Sequence, residues 1–334
     1  MKKFLIATSA LVALTGAAHA EVAVSGDGRM GMVWDGDDVQ FSSRARAKFT
    51  MTGETDSGLS FGGSFRVDQE SDYMEGRQGS RRSAARGTAG SVFISGSYGK
   101  LSMGDVVSAA EAAIGDLPEL GYTSGEFAGD AEEIDYLTGD GANEEQGPTA
   151  LYEYTFNGVK LFASMTDGSE RACDAVSGNI GCYADVADRD TETAYSLAAA
   201  YEMGAYSVGL GYSKHGDESE IILGGTAAFD AFKVKGFYAK YEDRFVDGLG
   251  STYDQSYGLG VEYAMANGVG IQGIWIRREL DLAAGVVGEE SFDAYGVGAS
   301  YDLGGGATLA GAVMKNELYA DNETRADFGV KFSF

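Results

Sequence analysis

Two sets of charged residues carry whatever chemistry this sequence can do. The first fills the run from Asp105 to Gly147, which holds Glu111, Asp116, Glu119, Glu126, Asp130, Glu132, Glu133, Asp135, Asp140 and Glu144 but no Lys, Arg or His. The second is basic and comes early in the chain: Arg29, Arg44, Arg46, Lys48 and Arg66. Crowded carboxylates raise one another's pKa and attract hard cations, whereas arginines placed opposite them lower it. Catalytic sets are poorly supplied. The two histidines, His19 and His215, lie far apart, and no Ser-His-Asp pattern stands out. With so few histidines, Cys173 and Cys182 leave no zinc set. In an oxidising compartment they would close one local disulfide.

The acidic run is too long for an ordinary connection, where loops of about 4–6 residues are the norm. It also contains Ile114, Leu117, Leu120, Tyr122, Phe127, Ile134, Tyr136 and Leu137. Disordered acidic tracts lack such anchors, so this one needs something to fold against. Asp130, Glu132, Glu133, Asp135 and Asp140 could supply oxygen ligands to calcium, although no EF-hand spacing is present. A solvated acidic loop without metal is the plainer reading. No cofactor is required.

The elements that position these residues are legible. Met1-Lys2-Lys3, a short apolar core through Leu14 and Ala18-His19-Ala20 form a cleavable export signal, residues 1–20. The core is too short to span a membrane. Residues 21–334 form one domain. Losing Lys2 and Lys3 moves the net charge from −26 to −28, which excludes a nucleic-acid partner because that requires a basic face. Glycine is abundant at 50 residues and proline scarce at 2, as strands require.

Apolar and polar residues alternate in segment after segment. Phe41, Ala45, Ala47, Phe49 and Met51 oppose Ser42, Arg44, Arg46, Lys48 and Thr50, and Phe61, Phe65 and Val67 oppose Ser64, Arg66 and Asp68. Asn157-Gly158 and Asn267-Gly268 mark tight hairpins. Sixteen such strands follow one another to Phe334, with short and long connections alternating. The pattern predicts an all-β fold, a 16-stranded antiparallel transmembrane β-barrel with short turns at one end and long loops at the other. A soluble sandwich has the same periodicity but turns its apolar face inward. Export, many tyrosines at the ends of apolar faces and the alternating C-terminus favour the membrane.

A barrel of this size keeps an aqueous lumen. Arg29, Arg44, Arg46, Arg66 and Lys48 then point inward from three adjacent strands. The long loop, 105–147, folds in. Its apolar residues pack on the wall, and Glu111, Asp116, Glu119, Asp130 and Asp135 face the basic cluster across a narrowed gap.

The resemblance to a known family lies in Ser25-Gly26-Asp27, Phe41-Ser42-Ser43-Arg44, Thr55-Asp56-Ser57-Gly58-Leu59, Gly104-Asp105, Gly121-Tyr122-Thr123, Tyr136-Leu137-Thr138-Gly139-Asp140 and Gly298 through Ala307. These pieces, in this order, resemble the general diffusion porins of alphaproteobacteria, Rhodobacter type. The resemblance implies a homotrimer in the outer membrane of a Gram-negative bacterium, among lipid and lipopolysaccharide, with bound calcium near the loop. It implies a passive, water-filled channel for ions and small hydrophilic solutes. Two other classes are kept beside it: an outer-membrane barrel enzyme, and a secreted β-adhesin that would extract without detergent. Arg77, Arg81, Arg82 and Arg86 and the cysteine-bearing loop depart from the family's pattern.

Overall fold

The computed structural model describes residues 21–70, 90–138, 149–166, 193–246, 251–282, 290–317 and 324–334. The export signal, the segment with Arg77 to Arg86, the expected Cys173–Cys182 disulfide and Asp140 lie outside these residues.

The strands are β1 (Glu21–Trp34), β2 (Val39–Glu54), β3 (Ser60–Glu70), β4 (Gly90–Gly96), β5 (Gly99–Gly104), β6 (Thr149–Phe156), β7 (Val159–Thr166), β8 (Ala194–Met203) and β9 (Tyr206–His215). They continue as β10 (Glu218–Phe229), β11 (Phe232–Glu242), β12 (Phe245–Val246), β13 (Ser251–Ala264), β14 (Val269–Leu282), β15 (Ser291–Gly304), β16 (Ala307–Asn316) and β17 (Thr324–Ser333). β12 is a two-residue ribbon on the β11–β13 connection, pairing with Thr252 and Ser251. The other sixteen build the wall, each antiparallel to its neighbour.

The last strand returns to the first, with Asp27 opposite Ser333 and Trp34 opposite Ala326. Gly26 and Phe334 exchange backbone hydrogen bonds of 2.7 and 2.9 Å at the seam. Closure leaves no open edge, the condition a sheet must meet in hydrocarbon. At the short-turn end, Asn157 and Gly158 both have positive φ, 50° and 84°. That pair of values fits the strand twist in a two-residue hairpin, and Asn and Gly reach it most cheaply.

The apolar face points outward. Phe41 is 86% exposed, and Val24, Leu197, Ile221, Val297 and Phe328 are exposed with it. A sandwich would have buried this face, so the membrane reading is the one the side chains obey. The buried apolar cluster lies inside the barrel, where Leu117, Leu120, Tyr122, Phe127 and Ile134 of the long loop meet Ile222, Phe237, Ile276 and Met314 of the wall.

Two strand limits differ from the sequence reading by five residues, the others by three or fewer. The alternation predicts a strand ending at Arg277 and a loop from Arg278, but β14 runs on to Leu282. Likewise β13 begins at Ser251 and not at Ser256, with a bulge between Tyr253 and Gln255. Near the long-loop rim both faces of the sheet are polar, so the apolar marker of a strand disappears while the ladder continues. Arg277 turns outward to Asp293 at 2.6 Å, and Arg278 turns into the lumen.

Candidate functional site

The loop leaves β5 at Gly104 and forms helix α1 (Ala109–Ile114). Ser108 caps it, its hydroxyl accepting from the Glu111 N–H at 3.2 Å. The wall completes the cap: the N–H groups of Ala109 and Ala110 donate to Ser164 and Ser196 at 2.9 and 3.1 Å. The helix lies so close to β10 that a Cβ on Gly224 would sit 2.4 Å from Ile114. Lys235 closes the helix end by donating to the Ile114 carbonyl at 2.5 Å.

The chain then follows the inner wall. Leu117 and Pro118 cover Gly260 on β13, and Leu120 covers Gly296 on β15. Tyr122 packs on β1 and β17 over Gly31 and Gly329, where a Cβ would come within 2.9 Å of its ring. Of the apolar anchors, Leu117, Leu120, Tyr122, Phe127, Ile134, Tyr136 and Leu137 are buried and Ile114 is partly so, as the sequence predicts.

At β17 the loop is pinned. Asp327 accepts from the Thr123 N–H at 2.8 Å, from its hydroxyl at 2.7 Å and from the Ala312 N–H at 2.9 Å. Arg29 donates to the Thr123 carbonyl at 2.6 Å. One turn later Glu126, at the start of a 3₁₀ turn, places its carboxylate between two arginines, with Arg29 on one oxygen and Arg44 on the other. Burial pushes the Glu126 pKa up, but the hydrogen bond and charge of Arg29, with Arg44 and Arg46, outweigh it and hold the carboxyl below its ordinary value.

Strand register explains the basic side. Arg29 lies opposite Arg44 on one flank and Lys331 on the other, so three cations share one rung of β17, β1 and β2. On neighbouring rungs Asp27 faces Arg46, and Lys48 faces Arg66. Arg29 and Arg44 are buried, Arg46 and Arg66 half-buried, and Lys48 exposed. The register thus places the five basic residues of the sequence reading on neighbouring rungs of β1, β2 and β3.

The acidic residues disperse. Asp116 is an internal brace, accepting from the Ile134 N–H at 2.9 Å, and burial raises its pKa despite that bond. Glu111 stays on α1 and Glu119 is exposed. Asp135 reaches the opposite wall, where Arg278 donates to its carboxylate at 2.5 Å and Tyr241 to its carbonyl at 2.8 Å. Arg244 donates to the same carbonyl. Asp130, half-buried with φ of 51°, is nearest in character to the expected acid: burial and then Glu126 push its pKa up to about 6, against Arg29 and Arg44.

Sequence reasoning missed Glu126 as the ion-pairing carboxylate, and missed Arg278 and Arg244, which it left in loops. The only mark on Glu126 is that Gly125 precedes it and a buried Phe127 follows. Among the described residues no three Asp, Glu, His or Cys side chains gather to hold a metal. The expected calcium set thus does not converge there, Asp140 lying outside those residues.

Glu132 is a separate case. It is 2% exposed, and its Oε2 has no hydrogen-bond partner among the described residues. Burial pushes its pKa up to about 8, with Asp130 and Glu133 adding to the effect. In the fold the carboxyl stays protonated to about pH 8, while in an unfolded loop it ionises near 4.5. Its contribution is therefore fully present in acid and is lost as pH rises between these values. Amide exchange at 125–134, corrected for its intrinsic pH dependence, should accelerate from pH 6 to pH 9, and Glu132→Gln should flatten that profile. A profile identical in the variant would refute this reading.

The Gram-negative porin family matches residues 7–320. A porin of Rhodobacter capsulatus is 37% identical over 94% of this chain and 100% of its own. This chain belongs to the Gram-negative porin family. A porin of Fuscovulum blasticum is 27% identical, over 76% of this chain and 93% of that one. A porin structure refined at 1.8 Å superposes with a TM-score of 0.73 and 36% identity, over 94% of this chain and all of the other. Mutants of the porin from Rh. blastica, such as one with a TM-score of 0.64 at 22% identity, share the fold. The closed barrel with a loop folded into its lumen is thus the porin architecture, and it marks an outer-membrane channel.

Proposed function

We propose that this porin is a passive, water-filled channel for ions and small hydrophilic solutes, narrowed where Glu126 meets Arg29 and Arg44. The observation that carries this reading is that meeting of loop and wall inside a closed barrel. The inward faces nearer the short turns support a wet lumen. Lys100–Glu153, Lys160–Glu202 and Lys233–Glu262 pair there at 3.0, 2.6 and 2.8 Å, and their lysines stay about half exposed. A dry interior would charge several kcal/mol for each such ion.

The channel works as a homotrimer in outer-membrane lipid and lipopolysaccharide, reached after cleavage of residues 1–20. Outward tyrosines support a contact between copies. They occur on β6, β8, β9, β11, β13 and β15, whereas β16, β17 and β1 through β5 have none within the strands, Tyr98 standing in the β4–β5 turn. Tyrosine suits the membrane–water boundary because its body is apolar and its tip polar. A sector without it fits a protein neighbour.

Planar-bilayer recording tests the proposal. Ohmic conductance that appears in groups of three equal levels is expected. A protein that inserts and passes no current would overturn it.

A further inference from the structure

On the short-turn side of Glu126 the lumen wall holds an open cavity of about 250 Å³, lined by Arg29, Arg44, Lys331, Ser124 and Thr308, with Asp27 at its edge. We propose that this cavity is a subsite for a small, multiply charged oxyanion such as phosphate, free or at the end of a solute. The inference rests on the channel reading above, since the ligand must arrive through the lumen.

Three observations carry it. First, Lys331, Arg29 and Arg44 are neighbours on one rung of three adjacent strands. Strands lie about 4.8 Å apart, so the three cations belong to a patch of roughly 10 Å. Glu126 lies between Arg29 and Arg44 and does not reach Lys331. Among the described residues the Lys331 ammonium has one polar contact, donating to the Ser124 hydroxyl at 3.5 Å.

Second, Ser124 is held in an unfavourable backbone state, with φ of 60°. Non-glycine residues persist there only when their surroundings enforce it, and such positions gather at ligand sites. Here the enforcement is visible, because its neighbour Thr123 is bound by Asp327 through both N–H and hydroxyl and by Arg29 through the carbonyl. The result is a fixed hydroxyl aimed at Lys331. Third, Thr308 pairs with Lys331 across β16 and β17 and adds a second hydroxyl to the same cavity.

An ammonium and two hydroxyls form a donor set beside the positive charge of Arg29 and Arg44, and tetrahedral oxyanions take such donors on several oxygens at once. Asp27 opposes the anion and keeps occupancy transient. A conducting channel needs that, because a site must release what it captures.

The test uses the full porin in planar bilayers, with inorganic phosphate added to potassium chloride at constant ionic strength. Wild-type chloride current is expected to fall along a saturating curve, with half-inhibition in the millimolar range. Lys331→Gln should raise the half-inhibiting concentration about tenfold, as loss of one charge-assisted hydrogen bond would, and Ser124→Ala about threefold. Lys160→Gln, in the paired set near the turns, should leave it unaltered. Calorimetric titration of the detergent-solubilised protein with phosphate gives a readout independent of conduction. If wild-type current falls only in proportion to the chloride replaced, the subsite is overturned. It is equally overturned if neither Lys331→Gln nor Ser124→Ala moves the half-inhibiting concentration. A protein that binds phosphate in the calorimeter but passes no current would overturn the channel and leave the site standing, so the two failures are distinguishable.

Discussion

Glu126→Gln is expected to turn the constriction towards anions. Glu126 is a loop carboxylate in ion-pair contact with the basic patch, and it touches both Arg29 and Arg44. Removing its charge leaves these two guanidinium groups facing the lumen with Lys331 beside them. At an effective dielectric near 20, one unit charge felt from about 6 Å amounts to roughly 3 kcal/mol. A passing ion keeps its water and feels a fraction of this, so a shift of about 1 kcal/mol is the reasonable scale. That corresponds to an anion-to-cation permeability ratio about fivefold higher. The reversal potential under a potassium chloride gradient measures it directly. An unchanged potential would mean that Glu126 is not at the constriction. The amide keeps the size of the carboxylate and still accepts one hydrogen bond, so the loop should stay in place. Acid should act in the same direction, because Asp130, with its pKa at about 6, loses its charge below that pH and leaves the arginines less opposed.

The second large effect concerns the pin that holds the loop to the barrel. Asp327→Ala should release the 121–126 corner and widen the pore. Asp327 is 5% exposed and accepts three hydrogen bonds, two from Thr123 and one from the Ala312 N–H. Bonds to a charged acceptor are worth about 1.5–3 kcal/mol each, and the buried donors left behind add their own desolvation cost. A local loss on the order of 4 kcal/mol follows, set against a barrel whose strands are untouched. The consequence is a displaced loop, not an unfolded protein. Once Thr123 swings away, its carbonyl no longer fixes Arg29, and Glu126 moves with it. Single-channel conductance should rise, and liposomes carrying the variant should swell in a trisaccharide that the native protein admits slowly. Unchanged conductance and swelling would show that packing of Tyr122 and Leu120 alone holds the loop. Asp327→Asn is the finer probe: it preserves one acceptor oxygen and should widen the pore less.

Much of this was written in the chain itself. The period-2 alternation of Phe41 through Met51 against Ser42 through Lys48 is a local property, because successive side chains of a strand leave opposite faces whatever lies elsewhere. Hairpins are equally local, as Asn157-Gly158 shows. From strand count, turn length and an apolar loop core, both the barrel and the inward loop could be predicted, and so could the basic patch on the first three strands. Strand ends were less legible. At the rim, Arg277, Arg278 and Glu279 carry no apolar mark, so β14 read as loop where the ladder in fact continues.

The pairing of charges was settled by the tertiary structure alone. In sequence Glu126 is one carboxylate among many, and Lys331 lies at the far end of the chain from Arg29. Closure of β17 onto β1 brings Lys331 beside Arg29, and the path of the loop along the inner wall decides which acid stops there. That path depends on where Ile114, Leu120 and Tyr122 find glycine-lined hollows on distant strands. Asp116 and Asp135 were drawn away from the basic patch for the same reason, one to brace the loop and the other to Arg278. Local alternation fixes which way a side chain points. Which charge it meets depends on register and packing between residues hundreds of positions apart, and no spacing rule encodes that.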